Sequence, residues 1–402
     1  AFCGVRNGAL WPAIVEKAAA KVYGCYAALD QGAAAEALGL LTGLPTVTME
    51  KIHERRDLDR LHADLVRAYR SGFIVSASCG HCGLGKTPLE EEKIYDRVGL
   101  LNAHEYAVLR VVDVKGADGG VSARLLQLRN PWAKGEWRGP WSRHAPQWAT
   151  LPAGVRAMLD DGRCLEADDG VFWMDLTDVA KYFHEITVCR LRRNFAQVRW
   201  PVGCPNSLDA DNTPAFSVTC GAEATTLDAC LIQKTERGVC PRGHHVMGDA
   251  LFLVFAAPAA TAAETDGTHA FTRRNLASGQ APLFKACVDG RPGLAPVVAT
   301  GDLVLAPRST YLLVPLCLNW RVLRVGSKNS LTAVLYSSKP LKAVTADGLT
   351  ADALAAAVRA VCVAKGSMQG GTRADEEAIY ELDGIYLVEN RRPSSYLSVT
   401  IK

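Results

Sequence analysis

Two residues with complementary chemistry stand at the ends of neighbouring apolar runs. His104 opens the run Tyr106 to Val114, and Asn130 closes the run Val121 to Leu128. The Gly-rich link from Lys115 to Gly120 reads as a turn, so the two runs would pair as antiparallel strands. Pairing of that kind brings the start of one strand beside the end of the other, and with it the imidazole beside the amide. A cysteine peptidase needs this arrangement: the imidazole takes the thiol proton, and a side-chain amide accepts from the other ring N–H and fixes the tautomer. The same residues also fit two ordinary strands with a satisfied surface histidine, and spacing alone does not separate the two readings.

Other patterns carry chemistry of different kinds. Gly80 to Thr87 spells G-x-x-x-x-G-K-T after a short apolar run, Phe73 to Ala77, and Asp113 ends a later run as a Walker-B acid does. Pro88 directly after Thr87 argues against a phosphate loop, whose helix is already under way at that point. Cys79-Gly-His81-Cys82 is half of a zinc pattern without a partner pair nearby, and reduced thiols account for it as well. His244-His245 and the cluster Arg190, Arg192 and Arg193 read as solvated loop or strand-end residues.

The elements that must position these residues are legible in outline. Leu10, Ile14, Ala18 and Val22 fall on one face of a helix with Pro12 in its first turn, which predicts an amphipathic core helix. A small-residue helix runs from Ala33 to Leu41. Asp57 to Tyr69 is a further helix, with Leu58, Leu61, Leu65 and Ala68 at helical spacing. Thr177 is the expected cap of a short helix, Asp178 to Phe183, and Val188 to Leu191 a strand. Residues 1–192 thus read as α+β, helices first and an antiparallel sheet after. From about Val198 short strand runs recur between Gly, Pro and Asp clusters, at Phe216, Leu231, Leu251, Leu303, Tyr311 and Leu331, which is the pattern of a β-sandwich over 193–340. Residues 257–270 read as a loop. Residues 341–402 read as an Ala-rich linker helix, Leu354 to Val363, a Gly-containing link, Met368 to Asp375, and two strands, Tyr386 to Asn390 and Tyr396 to Ile401, of a partial second β module.

Composition bounds the function. The chain has 402 residues, 49% hydrophobic and 22% charged, with a net charge of +3. That describes globular domains with full cores and gives no footprint for nucleic acid or an anionic membrane. No apolar run approaches the roughly 18–20 residues of a membrane span, and no signal-peptide pattern opens the chain. Its 13 cysteines, odd in number and without a regular framework, fit reduced thiols in a cytoplasmic protein. The first residue, Ala rather than Met, and the strand at the end suggest a piece of a longer protein.

Three stretches carry a resemblance. Gly99-Leu100…His104…Tyr106…Val108 is similar to the calpain pattern G-L-V-x-G-H-A-Y-S-V. Leu128-Arg-Asn130-Pro-Trp132…Glu136-Trp137…Gly139…Trp141 resembles calpain's L-R-N-P-W-G-x-x-E-W-x-G-x-W, and Asp169-Gly-Val-Phe-Trp173-Met resembles D-G-E-F-W-M. The opening Leu10-Trp-Pro-Ala-Ile14…Tyr23-Gly-Cys25-Tyr26 also looks like a calpain helix. The resemblance to this family of papain-like cysteine peptidases implies a papain-like α+β subdomain followed by the calpain β-sandwich. It implies His104 as general base, Asn130 as its orienter and Trp132 as the ring that shields the pair from water.

The same resemblance implies a nucleophilic cysteine several dozen residues before the Leu-Trp helix, beside a glutamine. Nine residues precede Leu10 here, and neither Cys3, nor Cys25 at a helix junction, nor Cys79 and Cys82, which read as loop residues, occupies that place. Ala103 replaces the family glycine before the histidine and Glu105 the small residue after it, although consecutive strand residues point to opposite faces. Calcium is the family's metal. Glu136 and Asp169 stand at acidic ligand positions, but Arg143 and Val171 stand where two more carboxylates belong, too few for an ion that takes six to eight oxygens. The expectation is therefore a calpain-like scaffold without peptidase activity and without a cofactor or metal. It would bind protein partners in a larger assembly, with a cytoskeletal or ciliary setting suggested by the resemblance. The alternative is a fragment of an active calcium-dependent calpain whose cysteine lies upstream.

Overall fold

The computed structural model describes residues 9–116, 119–133, 135–159, 169–205, 213–233, 237, 250–256, 283–286, 297–317 and 328–346, with parts of 354–391. The chain divides into two units: Ala1–Arg193 with Arg237–Cys240, and Asn194–Glu236 with Pro241–Lys402.

The first unit runs α1 (Trp11–Val22), α2 (Ala34–Thr42), β1 (Thr46–Met49), α3 (Leu58–Arg70), β2 (Ile74–Cys79), α4 (Pro88–Val98), β3 (His104–Lys115), β4 (Val121–Arg129), α5 (Ala153–Leu159), β5 (Val171–Asp175), α6 (Leu176–Tyr182) and β6 (Phe183–Cys189). The six strands form one antiparallel sheet in the order β1-β6-β2-β3-β4-β5. Strand alternation gives the sheet two unlike faces. Val75, Ala77, Cys79, Tyr106, Leu126, Leu128, Phe172 and Met174 point into a core shared with Leu61 and Leu65 of α3, Tyr95 of α4 and Val179 of α6. The opposite face of β2, β3 and β6 is polar: Ser78 is paired with Glu105 on one side and Glu185 on the other, and Ser76 with Thr187.

Local chemistry sets the element ends. The Asp57 side chain accepts the Arg60 amide at 3.1 Å and caps α3, and Leu61, Leu65 and Ala68 then line the buried side of that helix. The cap of α6 is Asp175 rather than Thr177. Its carboxylate accepts both the amide and the hydroxyl of Thr177, at 2.9 and 2.7 Å, so the helix starts earlier than the Thr177 signal suggests. The following strand likewise starts at Phe183 and not at Val188.

The first helix also differs from expectation. Leu10, Ile14 and Val22 are 68%, 63% and 66% exposed, so the apolar stripe of α1 is not covered by the described residues. Periodicity identifies a face that wants a partner; it does not supply one.

The second unit holds β7 (Ala196–Pro205), β8 (Ala215–Thr219), β9 (Thr225–Gln233), β10 (Ala250–Ala256), β11 (Leu283–Ala286), β12 (Val297–Ala299), β13 (Leu303–Leu305), β14 (Thr310–Cys317), β15 (Lys328–Ser337) and β16 (Lys342–Ala346). One sheet has the order β11-β10-β14-β8-β16; the other has β12-β9-β15-β7, with β13 also on β9. Phe216, Val218, Phe252, Val254 and Leu313 of the first sheet and Val202, Leu227, Leu231, Leu331 and Leu335 of the second share one core, which makes the pair a β-sandwich. The last sandwich strand, β16, lies past residue 340.

A three-stranded sheet follows, β17 (Ser367–Met368), β18 (Glu377–Leu382) and β19 (Ile385–Asn390). The expected loop at 257–270, the histidines at 244–245 and the strand at 396–401 lie outside the described residues, as does part of the helix expected at 354–363. Among the described residues no helix is long and apolar enough to cross a membrane.

Candidate active site

The hairpin of β3 and β4 sets Ala107 opposite Arg129, so the start of one strand and the end of the other meet at its open end. There His104 Nε2 lies 2.8 Å from Asn130 Oδ1. The Trp132 amide donates to the same oxygen at 3.0 Å, which identifies it as the amide's acceptor. Nε2 must therefore carry a proton and donate it, leaving Nδ1 as the ring atom able to take one. Asn130 is fully buried. The Trp132 ring packs tilted against the imidazole, its centroid 4.6 Å away at an interplanar angle of 58°. Tyr106 closes the other side edge-on at 5.1 Å, and its hydroxyl accepts the Leu101 amide at 2.9 Å. The hairpin that the sequence proposes thus brings its three candidate residues together.

Backbone geometry around the trio is tight. The Asn130 amide donates to the Gly170 carbonyl at 2.8 Å, and a Cβ on Gly170 would stand 2.9 Å from the Asn130 carbonyl oxygen. Only glycine permits that approach. Ala103, directly before the histidine, has φ +52°, a left-handed conformation that costs a non-glycine residue free energy. The position of a family glycine is filled here by a residue that the backbone tolerates only under strain.

No described thiol reaches the imidazole. Cys79 is opposite His104 in the β2–β3 register, yet it makes no hydrogen bond to the ring. It ends β2 rather than lying in a loop, as the sequence suggests. Its side chain is fully buried, and burial pushes the thiol far above its ordinary range. Burial also pushes Cys82 up to about 11, and its Sγ donates to the Gly80 carbonyl at 3.3 Å. Both are poor nucleophiles in these surroundings.

Glu105 points away from the imidazole, into the polar face of the sheet, where it accepts from the Ser78 hydroxyl. Burial holds its carboxyl above the usual range, partly opposed by the hydrogen bond from Ser78.

The phosphate-loop pattern has another explanation. The strand before it, β2, is flanked on both sides by antiparallel strands. The Lys86 amide donates to Glu90 Oε2 at 2.9 Å, the Leu84 amide to Glu91 Oε1 at 3.4 Å, and the Thr87 hydroxyl accepts the Glu90 amide at 3.2 Å as the N-cap of α4. Carboxylates of the chain itself sit where phosphate oxygens would have to go, and Thr87 begins a helix. Helix α4 has no apolar stripe in its charged first half, Glu90 to Glu92, so its periodicity is weak in the sequence. The Thr87-Pro88 pair with Glu90 three residues on was the available signal.

The residues at the calcium positions do not fit the ion. The Glu136 carboxylate is paired with the Arg143 guanidinium, and the two side chains are only 13% and 15% exposed. Asp169 Oδ1 accepts the Val171 amide at 3.1 Å, and Val171 itself is buried in the apolar cluster of Trp148 and Trp173. A cation already stands on the first carboxylate, and Ca²⁺ would need six to eight oxygens. Among the described residues no group of three or more His, Cys, Asp or Glu could hold a metal ion.

Comparison with known proteins agrees with this geometry. The profile described as "Calpain family cysteine protease" matches residues 1–190. Calpain-8 of Homo sapiens is 33% identical over 186 residues, 46% of this chain and 24% of that protein. Calpain-9 of Rattus norvegicus is 29% identical over 251 residues, 56% of this chain and 34% of that protein. Calpain-type cysteine protease DEK1 of Arabidopsis thaliana is 33% identical over 187 residues, 45% of this chain and 8% of that protein. The chain thus spans about a third or less of the relatives it matches. With the hairpin, the paired histidine and asparagine and the α+β order in place, residues 1–190 match the calpain family of cysteine proteases, followed in this chain by a β-sandwich.

Proposed function

We propose that these 402 residues carry the base-and-orienter half of a calpain-type site and do not by themselves cleave peptide bonds, serving instead as a protein-binding scaffold. The observation that carries this reading is the neighbourhood of His104. Its ring has a competent orienter at 2.8 Å and no described cysteine within hydrogen-bond reach, while Cys79, the cysteine opposite it in register, is buried as a neutral thiol. Without a thiolate there is no acyl-enzyme, and the covalent route is lost entirely. The reading takes the protein to act through surfaces in a larger cytoplasmic assembly. A cytoskeletal or ciliary setting follows from resemblance alone.

The intact geometry of His104, Asn130 and Trp132 favours a second reading. In it the chain is the distal part of an active calpain-type cysteine endopeptidase, and a segment outside these residues delivers the thiol to Nδ1. The two separate cleanly in experiment. A thiol-directed peptidase probe applied to the full-length protein should leave it unlabelled on the first reading. Labelling that disappears in His104→Ala supports the second and sinks the first. The coding sequence before Ala1 gives the same answer: a glutamine followed closely by Gly-x-Cys-Trp restores an enzyme.

A further inference from the structure

The misfit at the calcium positions has a positive side. We propose that Arg143 is a built-in cation that takes the metal's structural part: through Glu136 it fixes the loop that follows Asn130 and Trp132, and so helps orient His104 without any bound ion.

The connection runs through contacts. Arg143 and Glu136 are joined by a nearly buried ion pair that closes the loop between them. A guanidinium suits this task because its fixed fork of donors matches a carboxylate, whereas a hydrated point charge does not hold a direction. Inside the closed loop the turns are tied separately: the Ser142 amide donates to the Gly139 carbonyl at 3.1 Å, and the Trp137 indole to the Pro140 carbonyl at 2.6 Å. From Glu136 the loop touches both halves of the site. Its backbone carbonyl leaves no room for a Cβ on Gly99, and the Arg138 amide donates to the Val98 carbonyl at 2.9 Å, fixing the turn that leads into His104. Next to it, a Cβ on Gly135 would come within ordinary contact of Asn130 Nδ2, at 3.9 Å, so this part of the chain passes close to the orienting amide. Arg143 is thus a positioning residue. It touches neither the imidazole nor a reacting atom, and it acts through the packing of this loop.

Because the pair is nearly buried, removing one charge costs more than neutralising both. The test uses the full chain with ¹⁵N-labelled histidine, following the melting temperature and the His104 ring N–H resonance. In the wild type, EDTA and millimolar Ca²⁺ should give the same melting temperature and the same resonance. Arg143→Met should lower the melting temperature by on the order of 10 °C and broaden or remove the ring signal. Arg143→Lys should restore part of both, and Arg143→Met with Glu136→Gln should recover most of the loss in melting temperature. If Arg143→Met does not fold, Glu136→Gln alone, which keeps the shape and removes one charge, probes the same contact and should weaken the same resonance.

A wild-type melting temperature that rises with Ca²⁺ overturns the metal-independent part. A destabilised Arg143→Met with an unchanged His104 signal overturns the positioning part. Neither result bears on whether a thiol reaches His104, so this inference and the proposed function stand or fall apart.

Discussion

His104 Nε2 and Asn130 Oδ1 stand 2.8 Å apart across the open end of one hairpin, and the Trp132 backbone amide shares the same oxygen. The amide is therefore held by the main chain before the imidazole meets it. Replacing Asn130 with Ala strips partners from two N–H groups at once in a fully buried place. Chemical denaturation of Asn130→Ala should show a loss of about 2–3 kcal/mol. Asn130→Asp keeps the acceptor and should cost clearly less.

Trp132 poses the opposite case. Its ring covers the imidazole but is itself 64% exposed, so little apolar area leaves water on its account. Trp132→Ala should change stability by under about 1 kcal/mol. The rate at which a histidine-directed acylating reagent modifies His104 should nonetheless rise several-fold. An unchanged rate would show that the indole is no shield.

Ala103 holds a left-handed φ of +52° immediately before the histidine. Glycine adopts that conformation at no steric cost, though it loses more chain entropy on folding. Ala103→Gly should therefore stabilise the protein by about 0.5–1 kcal/mol, read as a melting temperature higher by roughly 1–4 °C. A lower melting temperature would mean that the strain is taken up elsewhere.

Burial raises the Glu105 carboxyl above its ordinary 4.5, with Glu185 across Ser78 raised in the same direction. A raised carboxyl binds more protons in the folded than in the unfolded state over the interval between its two pKa values. Stability from this group is thus highest below 4.5 and falls as pH rises through the folded value. Glu105→Gln should remove that fall. The difference in melting temperature, variant minus wild type, should grow from acid to neutral pH, and a constant difference would contradict it.

The site was legible in the sequence because it rests on a local device. Alternating apolar residues on both sides of a Gly-rich turn leave one natural pairing, and that pairing alone puts His104 beside Asn130. What escaped notice depends on partners distant in sequence. Strand β1, four residues long, is held by β6, some 140 residues away, through pairs such as Thr48 with Thr187. Helix α4 has a charged first half and a weak apolar stripe, and its glycine-rich approach imitates a phosphate loop. Cys79 reads as part of a Cys-His loop, yet it ends a buried strand because β3 and β6 both pair with it. Asp175 outcompetes Thr177 as a cap by one carboxylate oxygen that accepts two donors. The calcium positions are a mixed case: the sequence marks Arg143 as an intruder, and only the folded chain shows it seated on Glu136.

Strand β5, helix α6 and strand β6 follow one another without a single connecting residue, at 171–175, 176–182 and 183–189. There is no slack at either junction. Inserting or deleting one residue at 182/183 would slip β6 by one position against β2 and move Ile186 off the core side it shares with Ala77. This run works as a ruler whose length is not free to drift, so related chains should keep the span 171–189 at constant length.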